Sequence, residues 1–173
     1  GTTSRSTPAT YIGIMEEIRR LFAKANGVDA SLFSSNSKGA CPVCGGKGVI
    51  ITDMAFMDPV TIPCEACHGT QYNSEVLQYQ LKGFNILDVL NMTVDEAAEF
   101  FTENKIRNKL KALQHVGMGY ITLGQPTNTL SGGECQRIKL ASHLKSHKCI
   151  YAMDEPTTGL HGADIDLLMK LLN

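Results

Sequence analysis

The sequence predicts an α+β fold in which amphipathic helices flank a cysteine-bounded β-hairpin and lead to a short buried strand. Apolar residues at helical spacing, preceded by capping residues, occur on both sides of the cysteines. Between two Cys-x-x-Cys pairs, "GVIITDMAFMDPVTIP" is rich in β-branched residues, which favours a hairpin. Further along, "CIYAMDEP" is an apolar run ending in two acids, which predicts a strand with carboxylates at its carboxyl end.

The first predicted element is a single helix over "TPATYIGIMEEIRRLFAKANG". Thr7 can cap it, Pro8 suits its first turn, and Gly27 ends it. One apolar stripe would face the core, made of Tyr11, Ile14, Met15, Ile18, Leu21 and Phe22.

Downstream of the hairpin, "SEVLQYQLKG" predicts another strand. Thr93 and Glu96 have the spacing of a capping box, which predicts a helix start. A further helix is expected over residues 105–115, ended by Gly117, and a last helix is expected to begin near Gly162.

Length and charge limit the classes of protein. The 173 residues suffice for one core with a small appendage, and the net charge of -1 supplies no overall basic field for nucleic acid. The sequence has no apolar run of bilayer length and no signal-peptide pattern, so we expect a cytoplasmic protein with no membrane partner. Because the chain begins at Gly1 without Met and stops at Asn173 inside an apolar helical pattern, we expect a piece of a longer protein.

Four of the six cysteines form two similar knuckles, "CPVCGG" and "CEACHG", with nineteen residues between the second and third cysteine. Two-residue spacing lets both sulfurs of a knuckle face one ion, and the glycine after each knuckle lets backbone amides turn toward the thiolates. The alternative is four ordinary buried or redox-active cysteines, which the doubled spacing disfavours. We therefore predict one closed, structural Zn²⁺ site with four ligands: Cys41, Cys44, Cys64 and Cys67.

The run "LSGGECQRIKLASHL" begins a helical pattern with two glycines, which are poor helix formers. In one interpretation, Ser131 and Glu134 form a capping box that only starts the helix. In the other, Ser131 and the backbone amides of Gly132 and Gly133 bind a phosphate.

The strand that follows favours phosphate chemistry. Its two acids have the place and chemistry of a Walker B element, in which Asp154 would hold Mg²⁺ and Glu155 would orient and deprotonate an attacking water. These acids come one helix after the Ser-Gly-Gly tripeptide, which strengthens both assignments.

Together these motifs resemble those of an ATP-binding-cassette (ABC) ATPase: "LSGGECQRIKLA" is similar to its signature motif, and "YAMDEPTTGLH" to its Walker B strand and D-loop. "RSTPATY", the two knuckles, "NMTVDEAAEFF" and "VGMGYITLGQPTNTLSGGE" resemble, in the same order, the second nucleotide-binding half of the UvrA family of excinuclease proteins. The resemblance covers essentially the whole chain. It implies a helical signature subdomain with an inserted zinc-binding hairpin module, followed by a Walker B strand and the start of a helix.

The resemblance also implies a division of the chain and a role for each motif residue. Residues 1–40 would begin the signature subdomain, residues 41–70 form the zinc module, residues 71–147 complete the subdomain, and residues 148–173 belong to the nucleotide-binding core. The implied roles are γ-phosphate contact from the opposite cassette for Ser131, Gly132 and Gly133, proximity to that nucleotide for Gln136, Mg²⁺ coordination for Asp154, the hydrolytic base for Glu155, a D-loop position for His161, and zinc binding for the four cysteines.

One motif of such an ATPase does not occur in this sequence. No G-x-x-x-x-G-K-[ST] is present, and the pair Gly46-Lys47 lacks the first glycine and is followed by Gly48. We therefore expect that this chain by itself does not hydrolyse ATP, although the protein that contains it would use ATP and Mg²⁺.

The leading hypothesis is part of a DNA-surveillance ATPase of nucleotide excision repair. The implied partners are a second ABC cassette, in cis or in a homodimer, duplex DNA, and a UvrB-like excinuclease component. Six basic residues could meet DNA phosphates, although any single one of them is more typical of solvated surface charge: Arg5, Lys38, Lys47, Arg107, Lys109 and Lys111.

Two alternatives remain at this point. A short "SHLKSHKCIYAMDEP" and a divergent hairpin are compatible with a UvrA-like paralogue that acts in drug resistance or export. A non-enzymatic zinc module ranks last: C-x-x-C-x-G-x-G also resembles the cysteine-rich region of J-domain chaperones, but that family needs four such repeats.

Overall fold

The computed structural model describes residues 6–53 and 58–143. Its helices are α1 (Pro8–Tyr11), α2 (Met15–Asn26), α3 (Ile86–Asn91), α4 (Val94–Phe100), α5 (Asn104–His115) and α6 (Gly132–His143). Strands β1 (Val49–Thr52) and β2 (Val60–Pro63) pair with each other, and 3-10 turns cover Ala30–Phe33, Ser74–Gln78 and Thr127–Thr129. Among the described helices, none combines the length and hydrophobicity that a bilayer crossing requires.

The predicted mixture of helices with a small antiparallel sheet is confirmed for the described residues. The predicted strand "CIYAMDEP" and the helix expected near Gly162 lie outside them. The chain divides into two compact units: one combines the residues up to Ile14 with those from Leu90 onward, and the other is Met15–Val89. The second unit therefore contains not only the two cysteine knuckles but also helix α2 and the residues just after the knuckles.

The prediction of one continuous helix at the start is wrong, because α1 ends at Tyr11 and α2 begins at Met15. Thr7 caps α1 as expected, but Gly13 takes a left-handed conformation with φ of 68°. The Gly13 N–H donates to the Thr10 carbonyl and the Ile14 N–H to the Ala9 carbonyl, the paired bonds of a Schellman motif. The helix is thus terminated at Gly13, although the apolar periodicity continues across it.

Helical packing builds the core of the first unit. Helix α5 packs against α4 and α6, and α1 contacts α6. The buried face of α5 consists of Ile106, Leu110 and Leu113, whose spacing of four and three residues places them on one side of the helix. The predicted helix over residues 105–115 is confirmed, and Gly117 follows it with φ of 74°.

Aromatic side chains mark the core of the second unit. Phe22 of α2 lies against Phe33 with ring centroids 5.0 Å apart, and Phe33 meets Tyr79 edge-on at 5.8 Å. Both phenylalanines are fully buried. These contacts join α2 to the segment that follows the knuckles.

The strand predicted over "SEVLQYQLKG" is wrong, because Ser74–Gln78 forms a 3-10 turn. The Asn73 side chain accepts the Glu75 N–H at 3.2 Å and so starts the turn. Lys82 and Gly83 then adopt φ of 50° and 86°, which reverses the chain. Turn chemistry at Asn73 and Gly83 outweighs the strand-like composition between them.

The predicted hairpin is confirmed: β1 and β2 pair antiparallel, with Val49 opposite Pro63. Most of its side chains are exposed, including Ile51 and Ile62. Because an isolated two-stranded hairpin is marginal in water, this one depends on the cysteines at its base, where Cys64 directly follows β2.

Candidate functional site

Four cysteine sulfurs meet at the base of the hairpin. Their Sγ atoms all lie within 4.8 Å of one another, and all four residues are buried. The Sγ atoms of Cys41 and Cys64 are 4.0 Å apart, and those of Cys44 and Cys67 are 3.7 Å apart. Ile50 of β1 is the partly buried apolar residue packed against them. This local core therefore consists almost entirely of cysteine side chains.

The sulfur geometry fits a zinc ion. Four thiolates at about 2.3 Å from a tetrahedral zinc stand about 3.8 Å from one another, close to the two separations above. All four cysteines are free, and their sulfurs are far beyond the S–S bond length of about 2.05 Å. Within residues 6–53 and 58–143, no other group of His, Cys, Asp and Glu comes together in this way. Such an ion would hold both knuckles and the hairpin base together.

The two knuckles are related by an approximate internal symmetry. The Cys41 N–H donates to the Gln71 carbonyl at 2.9 Å, and the Cys64 N–H donates to the Gly48 carbonyl at 2.9 Å. Each knuckle therefore anchors its first cysteine on the backbone that follows the other knuckle. These two hydrogen bonds hold the knuckles against each other, so that their four sulfurs could share one ion.

The second cysteines of the knuckles have thiol pKa values that move in opposite directions. Burial raises the pKa of Cys67 to about 11. Burial also acts upward on Cys44, but the Gly48 N–H, which donates to its sulfur at 3.2 Å, and the neighbouring thiols outweigh burial and lower the Cys44 pKa to about 7. A bound divalent cation would favour the thiolate form of its cysteine ligands.

The second candidate site is the start of α6, where the predicted capping box is confirmed. The Ser131 N–H donates to Glu134 Oε2 at 2.7 Å, and the Glu134 N–H donates to Ser131 Oγ at 3.2 Å. Ser131 and Gly132 are exposed, and so is Gln136, one turn further along the helix. Gly133 is buried. The structure therefore brings three of the four predicted signature residues to an open surface.

Within the described residues, Gly132 has no packing reason to be a glycine. A Cβ built on it meets no heavy atom within 4 Å, and its φ is not in the left-handed region. Most other residues would favour the helix here by up to about 1 kcal/mol. The open space above Gly132 is what a ligand that approaches the backbone would require.

A residue that the sequence patterns did not single out also touches this site. The Tyr120 hydroxyl donates to Glu134 Oε1 at 2.5 Å. The Tyr120 hydroxyl first and then the Ser131 N–H hold the pKa of the Glu134 carboxyl below its ordinary value. No local spacing signals this contact, because the two residues are fourteen positions apart. The remaining predicted site residues, Asp154, Glu155 and His161, lie outside the described residues.

Comparison with known proteins identifies the family. The model of the ABC transporter family matches residues 66–158, which is more than half of the chain. The chain belongs to this family. Within it, the relatives place the chain in the UvrA branch, as the motifs predicted. UvrABC system protein A of Streptococcus mutans is 52% identical over 99% of this chain, and that of Lactiplantibacillus plantarum is 52% identical over 100% of it.

A solved structure agrees with this placement. UvrA2 from Deinococcus radiodurans superposes with a TM-score of 0.88 at 48% identity and covers 99% of this chain. The chain spans about a fifth of the relatives' length, 19% of each of the two UvrABC proteins and 22% of the UvrA2 chain. The matches to UvrABC system protein A do not favour the alternatives of a resistance or export paralogue or of a chaperone-like zinc module.

Proposed function

We propose that this chain is the signature subdomain and zinc module of a UvrA-like ATPase that acts in nucleotide excision repair. Residues 1–40 and 71–147 would form the subdomain around the module at 41–70, and residues 148–173 would supply the Walker B part of the nucleotide-binding core. Ser131, Gly132 and Gly133 would complete an ATP site whose phosphate loop lies on another cassette, in cis or in a homodimer. Asp154 would bind Mg²⁺ and Glu155 would act as the hydrolytic base.

One observation carries the phosphate role: Gly132 is a helix-start glycine with open space where its Cβ would lie. The helix already has a complete capping box from Ser131 and Glu134, so the glycine is not needed to begin it. Gln136 lies on the same open face one turn later, within reach of a nucleotide held in front of the helix start. An anion in front of exposed N–H groups at a helix start is electrostatically favourable.

The zinc module is proposed as a structural element that carries its hairpin in this ATPase. Duplex DNA and a UvrB-like protein are the proposed partners of the whole protein. Of the six basic residues considered for DNA, Lys38 pairs with Asp29 at 3.4 Å and Lys109 donates to the Gly13 carbonyl at 2.9 Å. Arg107 and Lys111 are exposed one turn apart on α5, so they are better placed for phosphate contact.

The sharpest test of the phosphate role is Gly132→Asp in the full-length protein. An acid in the first turn of a helix is compatible with folding, and the side chain enters open space. Its carboxylate would repel the γ-phosphate, so we expect the ATPase turnover to fall by about 100-fold or more, while ATP binding measured by equilibrium dialysis is retained.

Two controls isolate the cause. Gly132→Asn adds nearly the same volume without charge and should reduce turnover less than Gly132→Asp. Gly132→Ala should keep the most activity of the three variants. Gly133 is less suitable for this test, because it is buried and a carboxylate introduced there would be removed from water. Normal turnover in Gly132→Asp would show that the helix start does not approach a phosphate.

A further inference from the structure

Tyr120, in the first unit, has an exposed ring but a hydrogen-bonded hydroxyl. It is 60% exposed, yet its hydroxyl lies 2.5 Å from Glu134 Oε1. Exposed tyrosines usually leave the hydroxyl to water, because ordering the ring costs side-chain entropy. Here the hydroxyl meets the one carboxylate that closes the capping box of α6.

Backbone hydrogen bonds hold the residues on both sides of Tyr120, independently of its side chain. The Asp95 N–H donates to the Gly119 carbonyl at 3.0 Å, and the Val94 N–H donates to the Ile121 carbonyl at 2.9 Å. These are N–H groups of the first turn of α4, which have no partner within their own helix. A Cβ on Gly119 would overlap the Asp95 carboxylate, so the loop lies close against α4. Tyr120 therefore extends from a held backbone toward Glu134.

The capping box of α4 provides an internal comparison. There the Glu96 carboxylate accepts the Thr93 N–H at 2.8 Å, and the Thr93 hydroxyl accepts the Glu96 N–H at 3.2 Å. This box begins its helix without a tyrosine: in the described part of the chain, no side chain from outside the box donates to Glu96. A helix start of this type is thus complete without a third donor, so the Tyr120 contact serves something besides capping.

We propose that Tyr120 is a positioning residue for ATP hydrolysis, which holds Glu134 and through it the exposed helix start at Ser131 and Gly132. The inference rests on the proposed function, because it assigns Tyr120 to the same phosphate-contacting surface. With the carboxylate held from both sides, the Ser131 hydroxyl and the first N–H groups of α6 keep one orientation as the opposite cassette closes. Preorganised donors stabilise developing charge without a reorganisation cost at the moment of reaction.

The first test is Tyr120→Phe in the full-length protein, which removes one exposed hydroxyl and leaves the ring. We expect kcat for ATP hydrolysis to fall by about three- to tenfold, the size of an ordinary hydrogen bond, because solvent screens the carboxylate at this exposed position, with KM for ATP changed by less than about twofold. Tyr11→Phe is the matched control, because Tyr11 is another exposed tyrosine of the same unit. It should leave both constants unchanged.

The second test separates positioning from structure by a double-mutant cycle. If Tyr120 acts through Glu134, Tyr120→Phe should have no further effect on kcat in a Glu134→Ala background, whereas its effect should persist unchanged in a Glu96→Ala background. Equal effects of Tyr120→Phe with and without Glu134 would overturn the proposal, as would an unchanged kcat in the single variant.

The two proposals fail separately. If Gly132→Asp abolishes turnover and Tyr120→Phe does not lower it, the phosphate role of the helix start stands and the role of Tyr120 is refuted. If Gly132→Asp leaves turnover normal, the surface does not serve hydrolysis and both proposals fall.

Discussion

The two cysteine knuckles have the same backbone conformation but differ in their residues. Gly45, Gly46 and Gly48 of the first knuckle have φ of 58°, 75° and 76°. The equivalent positions in the second are His68, Gly69 and Gln71, with φ of 50°, 84° and 73°. The same left-handed conformations are thus built from three glycines in one knuckle and from one glycine in the other.

This difference separates two reasons for a glycine. At the left-handed positions the backbone prefers glycine, but His68 and Gln71 show that other residues are accepted at a cost of about 1–2 kcal/mol each. At Gly46 there is a second reason, because an added Cβ would overlap the Ser35 carbonyl oxygen. Gly69, its counterpart, has no heavy atom within 4 Å of a built Cβ. Close contact with the Ser35 backbone, outside the knuckle, therefore adds to the preference for glycine at position 46.

The largest expected effect is loss of the zinc ion, which should follow the removal of a cysteine ligand from either knuckle. Cys64→Ser should reduce the zinc content of the full-length protein by one ion per chain, measured by plasma mass spectrometry after dialysis. Structural zinc contributes on the order of 10 kcal/mol to folding such modules, so the hairpin should also become protease-sensitive. Cys135→Ser is the control, because Cys135 lies outside the cluster and its thiol donates to the Thr127 carbonyl, a bond that a serine hydroxyl can replace. Unchanged zinc content in Cys64→Ser would contradict the metal assignment.

A middle-sized effect should distinguish the knuckles. Gly46→Ala and Gly69→Ala bear a similar left-handed penalty, but only Gly46→Ala forces the Ser35 backbone to move. We expect Gly46→Ala to weaken zinc binding by roughly 1–3 kcal/mol more than Gly69→Ala, or about 5- to 150-fold in competition with a chromophoric chelator. Equal affinities for the two variants would mean that the knuckles are interchangeable after all.

The smallest expected effect is a gain in thermal stability. His68 is exposed and left-handed, so His68→Gly relieves backbone strain while adding freedom to the unfolded chain. The net result should be a stabilisation of up to about 1 kcal/mol, seen as a higher midpoint of thermal unfolding with zinc bound. Glu65→Gly is the control within the same knuckle, since Glu65 is exposed and not left-handed, and it should destabilise instead. A loss of stability in His68→Gly would show that the imidazole makes a contact that outweighs the strain.

Structural features that depend on residues close together in the sequence were predictable. The knuckle spacing predicted which four cysteines come together, and capping-box spacing predicted the starts of α4 and α6. In each case the interacting atoms belong to residues two to four positions apart, or to one motif repeated. The UvrA motifs likewise predicted the family. Errors arose where a local turn competed with a periodic pattern, at Gly13 and at Asn73.

The sequence alone therefore determined the capped starts of α1, α4 and α6, which sulfurs can share an ion, and which motifs resemble those of the UvrA family. Tertiary structure decided the rest. The Tyr120–Glu134 contact and the close approach of Ser35 to Gly46 join residues fourteen and eleven positions apart. No spacing rule encodes them, because they depend on how separate segments fold back on one another. Packing also decided that Gly132 has open space at its Cβ position whereas Gly133 is buried. The sequence cannot distinguish these two adjacent glycines.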